Sequence, residues 1–468
     1  MPPYAQPVAP RRGFSTEQVH GGAELDPAFG ARIPPIHLTA GFVFDDFAHA
    51  RARFAGDDEG YTYSRNGNPT HASLERRLAR LESGTDALLV GSGQAAITVA
   101  LLSLLQAGDH VVASAHLYEG SRGLLLENFA RFGIDADFVD EPTDPAAWRA
   151  LMRPTTRVLF GESIANPVNE VLDVTAVAEV AHERGVPLVV DNTLATPYLL
   201  RPLEHGADVV VHSASKLLSG HGASLGGVVV SGDGFDWAAR RGLFPQLTAP
   251  ARALHGRSYT DAHGRGAFAA YARDLAARLG PTISPVNAFL VQQGVETLSL
   301  RVGRQSDTAL ALARWLEERP EVVSVDHAGL TSSRSAALAR RYLPDGAGCV
   351  FAFTLGGGEP AAQAFVDAVQ LVSRMTHVGD VRTLVLHPAS TTHAHRTPQE
   401  QRAARVGPGL LRLSVGVEDP ADLLDDLERG LRAVRALSSR PTAATAPTIP
   451  TTSTSPTTPT APAAVPAA

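Results

Sequence analysis

Lysine is almost missing from this chain. Of 41 Lys and Arg residues among 468, one is a lysine, Lys216, and all the others are arginine. Cysteine is as scarce. With Cys349 alone, an internal disulfide, a zinc site built from cysteines and a Cys-x-x-Cys redox pair are excluded, which fits a reducing cytoplasm. There is no basic stripe either: the net charge is -7 and the arginines are scattered, so neither nucleic acid nor an anionic membrane is expected as a partner. The first twenty residues lack the apolar core of a signal peptide, so export is not expected. One uncharged run, residues 87–108, is long enough to suggest a membrane span. Gly91, Ser92, Gly93 and Gln94 interrupt it, and the pattern predicts a buried strand, a turn and a helix instead.

What is present suits a soluble globular protein: 44% hydrophobic and 19% charged residues can build one large or two medium cores. Residues 1–60 read as an extended arm, with no strong helix before "HASLERRLARLE". In residues 61–300, apolar runs suited to doubly buried parallel strands alternate with helical patterns: "DALLVGS", "DHVVAS", "RVLFGES", "VPLVVDN", "DVVVHSAS" and "LGGVVVSG". This is the pattern of an α/β domain with a mostly parallel sheet. Residues 243–266 read as a Gly/Pro-containing loop, and the segment from Asn287 to Glu318 as one long helix. A smaller α/β unit at 301–438 carries "VFAFTLGG", "TLVLHPAS" and "LLRLSVGVED" and ends in an amphipathic helix. Residues 439–468, rich in Pro, Thr and Ala, lack the apolar content for a core and read as a disordered tail.

Parallel sheets place ligands beyond the carboxyl ends of their strands, which singles out Ser92, Ser114, Glu162, Asp191 and Ser213. Lys216, in "HSASKLLSGHG", lies just past the last of them. As a surface cation it would be replaceable by arginine. As a base or an imine-forming nucleophile it would not, because a guanidinium keeps its proton. A P-loop needs Gly directly before Lys, where Ser215 stands. Ser213 and Lys216 match Ser-x-x-Lys, but that acyl-enzyme class needs a second lysine in Lys-Thr-Gly. A lysine that holds pyridoxal 5'-phosphate remains. That cofactor needs a buried acid for its ring nitrogen, which Asp191 provides, and amides and hydroxyls for its phosphate, which Gly91, Ser92, Gly93, Gln94, Ser213 and Ser215 provide. Tyr118 could cover the ring. Arg412, inside the apolar strand "LLRLSVG", needs an anionic partner, either a structural Asp or Glu or a substrate carboxylate.

These segments, together with "GYTYSRNGNPT", "ESIANPVNEVLDV", "SPVNAFLVQQGVETLSLR" and "HVGDVRTLVLHPASTTH", resemble the Cys/Met-metabolism class of PLP enzymes from about Phe14 to Ser438. The loop "LHGRSYTDAHGRGAF" is similar to that of the O-acetylhomoserine sulfhydrylase branch. The resemblance implies a large domain of the aspartate-aminotransferase-like type (fold type I) with a smaller C-terminal α/β domain. It implies pyridoxal 5'-phosphate as cofactor, O-acetylhomoserine and sulfide as substrates, and a homodimer or homotetramer with shared active sites. Lys216 would hold the cofactor and act as the base, Asp191 would face the ring nitrogen, Tyr118 would stack on the ring, and Gly93, Gln94, Ser213 and Ser215 would surround the phosphate. Tyr63 and Arg65 would reach that phosphate from a neighbouring subunit. Asn166 would sit near the ring hydroxyl and the substrate carboxylate, which Arg412 grips. Two positions depart from the family pattern: Glu119 stands where glycine is common, and His377 where Asn or Ser is usual beside the substrate carboxylate. Cystathionine γ-synthases, γ-lyases and O-succinylhomoserine sulfhydrylases share the same set, so these residues do not separate the reactions. His393 and His395 read as polar loop residues rather than metal ligands.

Overall fold

In the computed structural model, residues 12–22, 26 and 28–438 are described, and the Pro/Thr/Ala-rich segment lies outside them. The larger domain is built on seven strands: β1 Asp86–Val90, β2 His110–Ser114, β3 Asp135–Val139, β4 Thr156–Glu162, β5 Leu188–Asp191, β6 Val209–Ser213 and β7 Gly227–Ser231. Their order is β1-β7-β6-β5-β4-β2-β3. β7 runs antiparallel to both its neighbours, and the remaining pairs are parallel. All six apolar runs form strands. Their residues are buried on alternating sides: Leu188 and Val190 of β5 belong to one core cluster and Val189 to the other. That double burial is why the runs are continuously apolar.

The smaller domain holds β8 Val322–Asp326, β9 Val350–Leu355, β10 Ser373–Arg374, β11 Leu384–Leu386 and β12 Leu410–Ser414, in the order β10-β11-β12-β9-β8. It is antiparallel except for the short β10–β11 pairing. Phe351, Phe353, Leu411 and Leu413 join the same core cluster as one face of the large sheet, so the two domains share a core.

Three expectations need correction. The arm contains two helices, Phe14–His20 and Phe47–Ala55, the second capped by the Asp46 side chain accepting from the His49 amide. The segment 243–266 is not a plain loop but a series of short helical turns, including Pro245–Thr248 and Tyr259–His263. The long helix is two, Pro285–Val295 and Leu298–Glu317. At the break, Arg301 donates to the carbonyls of Gly294 and Leu217 and Arg77 pairs with Glu296, replacing helical bonds that a straight helix would have made. Beyond these, β3, β8 and β10 form where the sequence carries no continuous buried apolar run. Among the described residues, no helix is long and apolar enough to cross a membrane. The uncharged run instead forms β1, a turn and the helix Gly93–Leu102.

Candidate active site

Ser92, Glu162, Asp191 and Ser213 stand at or just beyond the carboxyl ends of β1, β4, β5 and β6. Ser92 caps the helix Gly93–Leu102, its hydroxyl accepting from the Ala95 amide. A Cβ on Gly93 would lie 2.6 Å from the Ser213 Cβ, so only glycine lets the helix start sit flush against the end of β6. Free amides at that start form a cradle for an anion. The Ser213 amide donates to the Thr193 hydroxyl, and the Ser215 hydroxyl exchanges hydrogen bonds with the Gly226 backbone. Tyr118 and Gln94 come together around Gly120: a Cβ there would stand 2.5 Å from the Tyr118 ring and 2.8 Å from the Gln94 amide nitrogen. Ser114, by contrast, accepts from the His116 amide and shapes a turn.

Two acids meet at the carboxyl end of the sheet, because Glu162 and Asp191 are register neighbours on β4 and β5. Asp191 Oδ1 accepts from the amide and hydroxyl of Thr193. Burial pushes the Asp191 carboxyl upward against those bonds. Burial, and then the Asp191 charge, push Glu162 well above the usual carboxylate range, although it accepts from the amides of Tyr118 and Asn166.

Lys216 is half-buried on the turn after β6, and its Nζ lies 3.1 Å from His377 Nδ1. Burial, and then repulsion from Arg412, lower its pKa to about 8. The same causes, burial first and then the charge on Lys216, hold His377 at about 4, so the imidazole is neutral and Nδ1 accepts from the ammonium. The His377 loop reaches Lys216 because Gly379, with φ +76°, packs 2.7 Å from the Leu217 amide, measured to the Cβ that glycine lacks.

Arg412 on β12 is 4% exposed. It donates to the carbonyls of Thr376 and His377 at 2.8 and 3.2 Å and to Asn166 Oδ1 at 3.4 Å, and its Nε is buried without a partner. Among the described residues no carboxylate pairs with it, so the structural Asp or Glu reading is set aside. Tyr63 and Arg65 lie apart from this cluster in the single chain. The Arg65 guanidinium sits 5.3 Å above the half-exposed Tyr63 ring, and Arg65 lines a separate pocket of about 560 Å³ with Arg273 and Arg278. The described residues contain no group of three His, Cys, Asp or Glu able to hold a metal. His393 is buried and pushed down to about 4, chiefly by burial. Sequence reasoning gave Glu162 no role and missed Arg396, whose guanidinium pairs with Glu119. One arginine among many in a polar loop offers no signal of its own.

A lone half-buried lysine, a strand-end acid, an aromatic ring and a glycine-formed anion cradle fit the imine, ring nitrogen, ring face and phosphate of pyridoxal phosphate, and together they define a PLP enzyme of the α/β type. The chain belongs to the family of Cys/Met metabolism PLP-dependent enzymes, which it matches over residues 15–432. It is 44% identical to an O-acetyl-L-homoserine sulfhydrylase of Corynebacterium glutamicum over 92% of this chain and all of that one. It is 42% identical to a homocysteine synthase of Schizosaccharomyces pombe over 89% of this chain and 98% of that one. A solved O-acetylhomoserine (thiol)-lyase structure from Campylobacter jejuni, which carries an N'-pyridoxyl-lysine-5'-monophosphate, superposes with a TM-score of 0.86 at 30% identity, covering 90% of this chain and all of that one.

Proposed function

We propose that the protein catalyses γ-replacement, converting O-acetylhomoserine and sulfide to homocysteine and acetate. The carrying observation is Arg412: a buried guanidinium with no carboxylate partner among the described residues, acting electrostatically on the single lysine, suits the α-carboxylate of an amino-acid substrate. The names of the relatives supply the ester and the sulfur donor.

When bound, pyridoxal phosphate supplies an electron-withdrawing ring conjugated to the substrate nitrogen, which makes the substrate's C–H bonds acidic. The chain does the rest. Asp191 holds the ring nitrogen protonated, Tyr118 covers the ring, and Gly93, Gln94, Ser213 and Ser215 surround the phosphate. Arg412 and Asn166 orient the substrate through its carboxylate, with His377 alongside. Lys216 Nζ, with its pKa lowered to about 8, takes the proton from Cα and moves a second from Cβ. The Cγ–O bond then breaks, acetate leaves with the electron pair, and hydrosulfide forms the Cγ–S bond before the protons return.

The arm supports a shared site. Phe29, Val43 and Phe47 are 91%, 95% and 83% exposed, and Leu38, Phe54 and Tyr63 join them, an apolar surface that a second copy would cover. In such a homodimer, or a tetramer of two, Tyr63 and Arg65 would reach the partner's phosphate. A cytoplasmic setting suits the single buried thiol of Cys349.

The test is to incubate the PLP-loaded protein with O-acetylhomoserine or O-succinylhomoserine, each with sulfide or cysteine, and to identify the products by mass. Homocysteine from the acetyl ester and sulfide supports the reading. Cystathionine, or a succinyl preference, moves the protein to the γ-synthase or succinyl branch. No turnover with any pair sinks it.

A further inference from the structure

Arg396 is the second buried guanidinium of the site, and nothing in the reaction requires it. Its side chain is 8% exposed although it comes from a polar loop of the smaller domain. It forms an ion pair with Glu119, the residue after Tyr118 on the larger domain, and its Nε is buried without a hydrogen-bond partner among the described residues. Glu119, Arg396 and Arg412 all act electrostatically on the buried His393, so one imidazole feels both the pair and the Arg412 charge. Arg122, stacked 4.1 Å over the Phe138 ring, adds positive charge on the same side. Beside the ring-covering Tyr118 there is therefore a buried cation paired with Glu119, and Glu400 also acts electrostatically on it. Because Glu119 directly follows Tyr118, the residue placed over the ring, the pair belongs to the same wall of the site.

We propose that the Glu119–Arg396 pair is a charge filter for the acyl end of the ester substrate. With Glu119 in place an uncharged acetyl group passes. A distal carboxylate, as on a succinyl ester, meets the Glu119 carboxylate and finds Arg396 already engaged. Discrimination by an opposing charge costs the wrong substrate more than added contacts help the right one. Without Glu119, Arg396 offers a buried fork of donors to that distal carboxylate. The inference rests on the ester-substrate reading above and names the residues that set its acyl preference.

Glu119→Gln keeps the shape and removes the charge. With the holoenzyme and sulfide, the ratio of kcat/KM for the acetyl ester to that for the succinyl ester should fall at least about tenfold, through a lower KM for the succinyl ester. The double variant Glu119→Gln/Arg396→Gln should lose that gain. A turnover-free reading comes from calorimetry with azelate, whose carboxylates are spaced along the chain like those of the succinyl ester, against nonanoate as the one-carboxylate control. Azelate should bind Glu119→Gln at least about tenfold more tightly than the parent, and the double variant should not share the gain. Equal loss on both esters with unchanged azelate affinity overturns the filter. If the parent turns over neither ester, the functional reading fails, while the azelate titration still decides the filter. Should Glu119→Gln not fold, Arg396→Gln alone carries the test: an acetyl-to-succinyl ratio that falls instead of rising refutes the proposal.

Discussion

The titration of Lys216 offers a quantitative check on the site. Its pKa is lowered from 10.5 to about 8, by burial first and by Arg412 second. At pH 7 roughly one amine in ten is then neutral, about 300 times the fraction of an ordinary lysine. Only the neutral amine attacks an aldehyde, so capture of pyridoxal phosphate by the apoenzyme should speed up about tenfold per pH unit up to pH 8 and then level off. Because Lys216 is the only lysine, borohydride trapping followed by mass mapping reads one side chain, with the N-terminal amine as the sole other primary amine. Arg412→Gln should move the midpoint upward by less than the whole shift, because burial is untouched. A capture rate still climbing beyond pH 9, or a midpoint lowered by Arg412→Gln, would refute the electrostatic account.

Three further outcomes are expected. Arg412→Lys keeps the charge but loses the fork, and should raise the KM for the amino-acid substrate about a hundredfold while the cofactor's visible spectrum persists, as checked by steady-state kinetics and absorbance. His327, fully buried against Phe351, is held at about 4 against its ordinary 6.5. Its contribution to stability is complete above pH 6.5 and is lost as the pH falls toward 4, about 2 kcal/mol at pH 5, and His327→Gln should flatten that loss in urea titrations. Gly379→Ala places a Cβ 2.7 Å from the Leu217 amide at a positive φ, and should raise KM and shift the Lys216 titration together. If only thermal stability changes, the His377 loop does not position the lysine.

The parts of the molecule legible in the sequence were those with one dominant physical cause. Strands buried on both faces must be apolar throughout, so six of the seven large-sheet strands could be read directly. The seventh, β3, is an edge strand whose "DADFV" carries two aspartates, and β8 leaves Val323 exposed, so neither shows a continuous run. Lys216 was legible because arginine had replaced lysine everywhere else, and Arg412 because a charge inside an apolar strand demands a reason. The break after Val295 was not, because the partner that stabilises it, Arg77, lies more than two hundred positions away. Arg396 failed for the same reason: its burial depends on Glu119 across the domain junction.

The division between the domains follows from how each side chain is anchored. Strand ends of the larger sheet supply the lysine and the acids, which need low solvation to reach useful pKa values. The smaller sheet supplies Arg412 from β12, hydrogen-bonded on both sides to β9 and β11. Its guanidinium is aimed in advance by the Thr376 and His377 carbonyls, so little side-chain freedom remains to be lost when a carboxylate arrives. Both groups are thus fixed within their own sheets, and the distance between them depends on how the sheets dock. Gly379 and Asn166 sit at that junction, the first against the Leu217 amide and the second between Glu162 and Arg412. In the proposed scheme Gly379, which touches no substrate, and Asn166, which also orients the carboxylate, would therefore set where the substrate's α-carbon stands relative to the base. The charged pair at Glu119 and Arg396, spanning the same junction, can change which substrates are admitted without altering how they react.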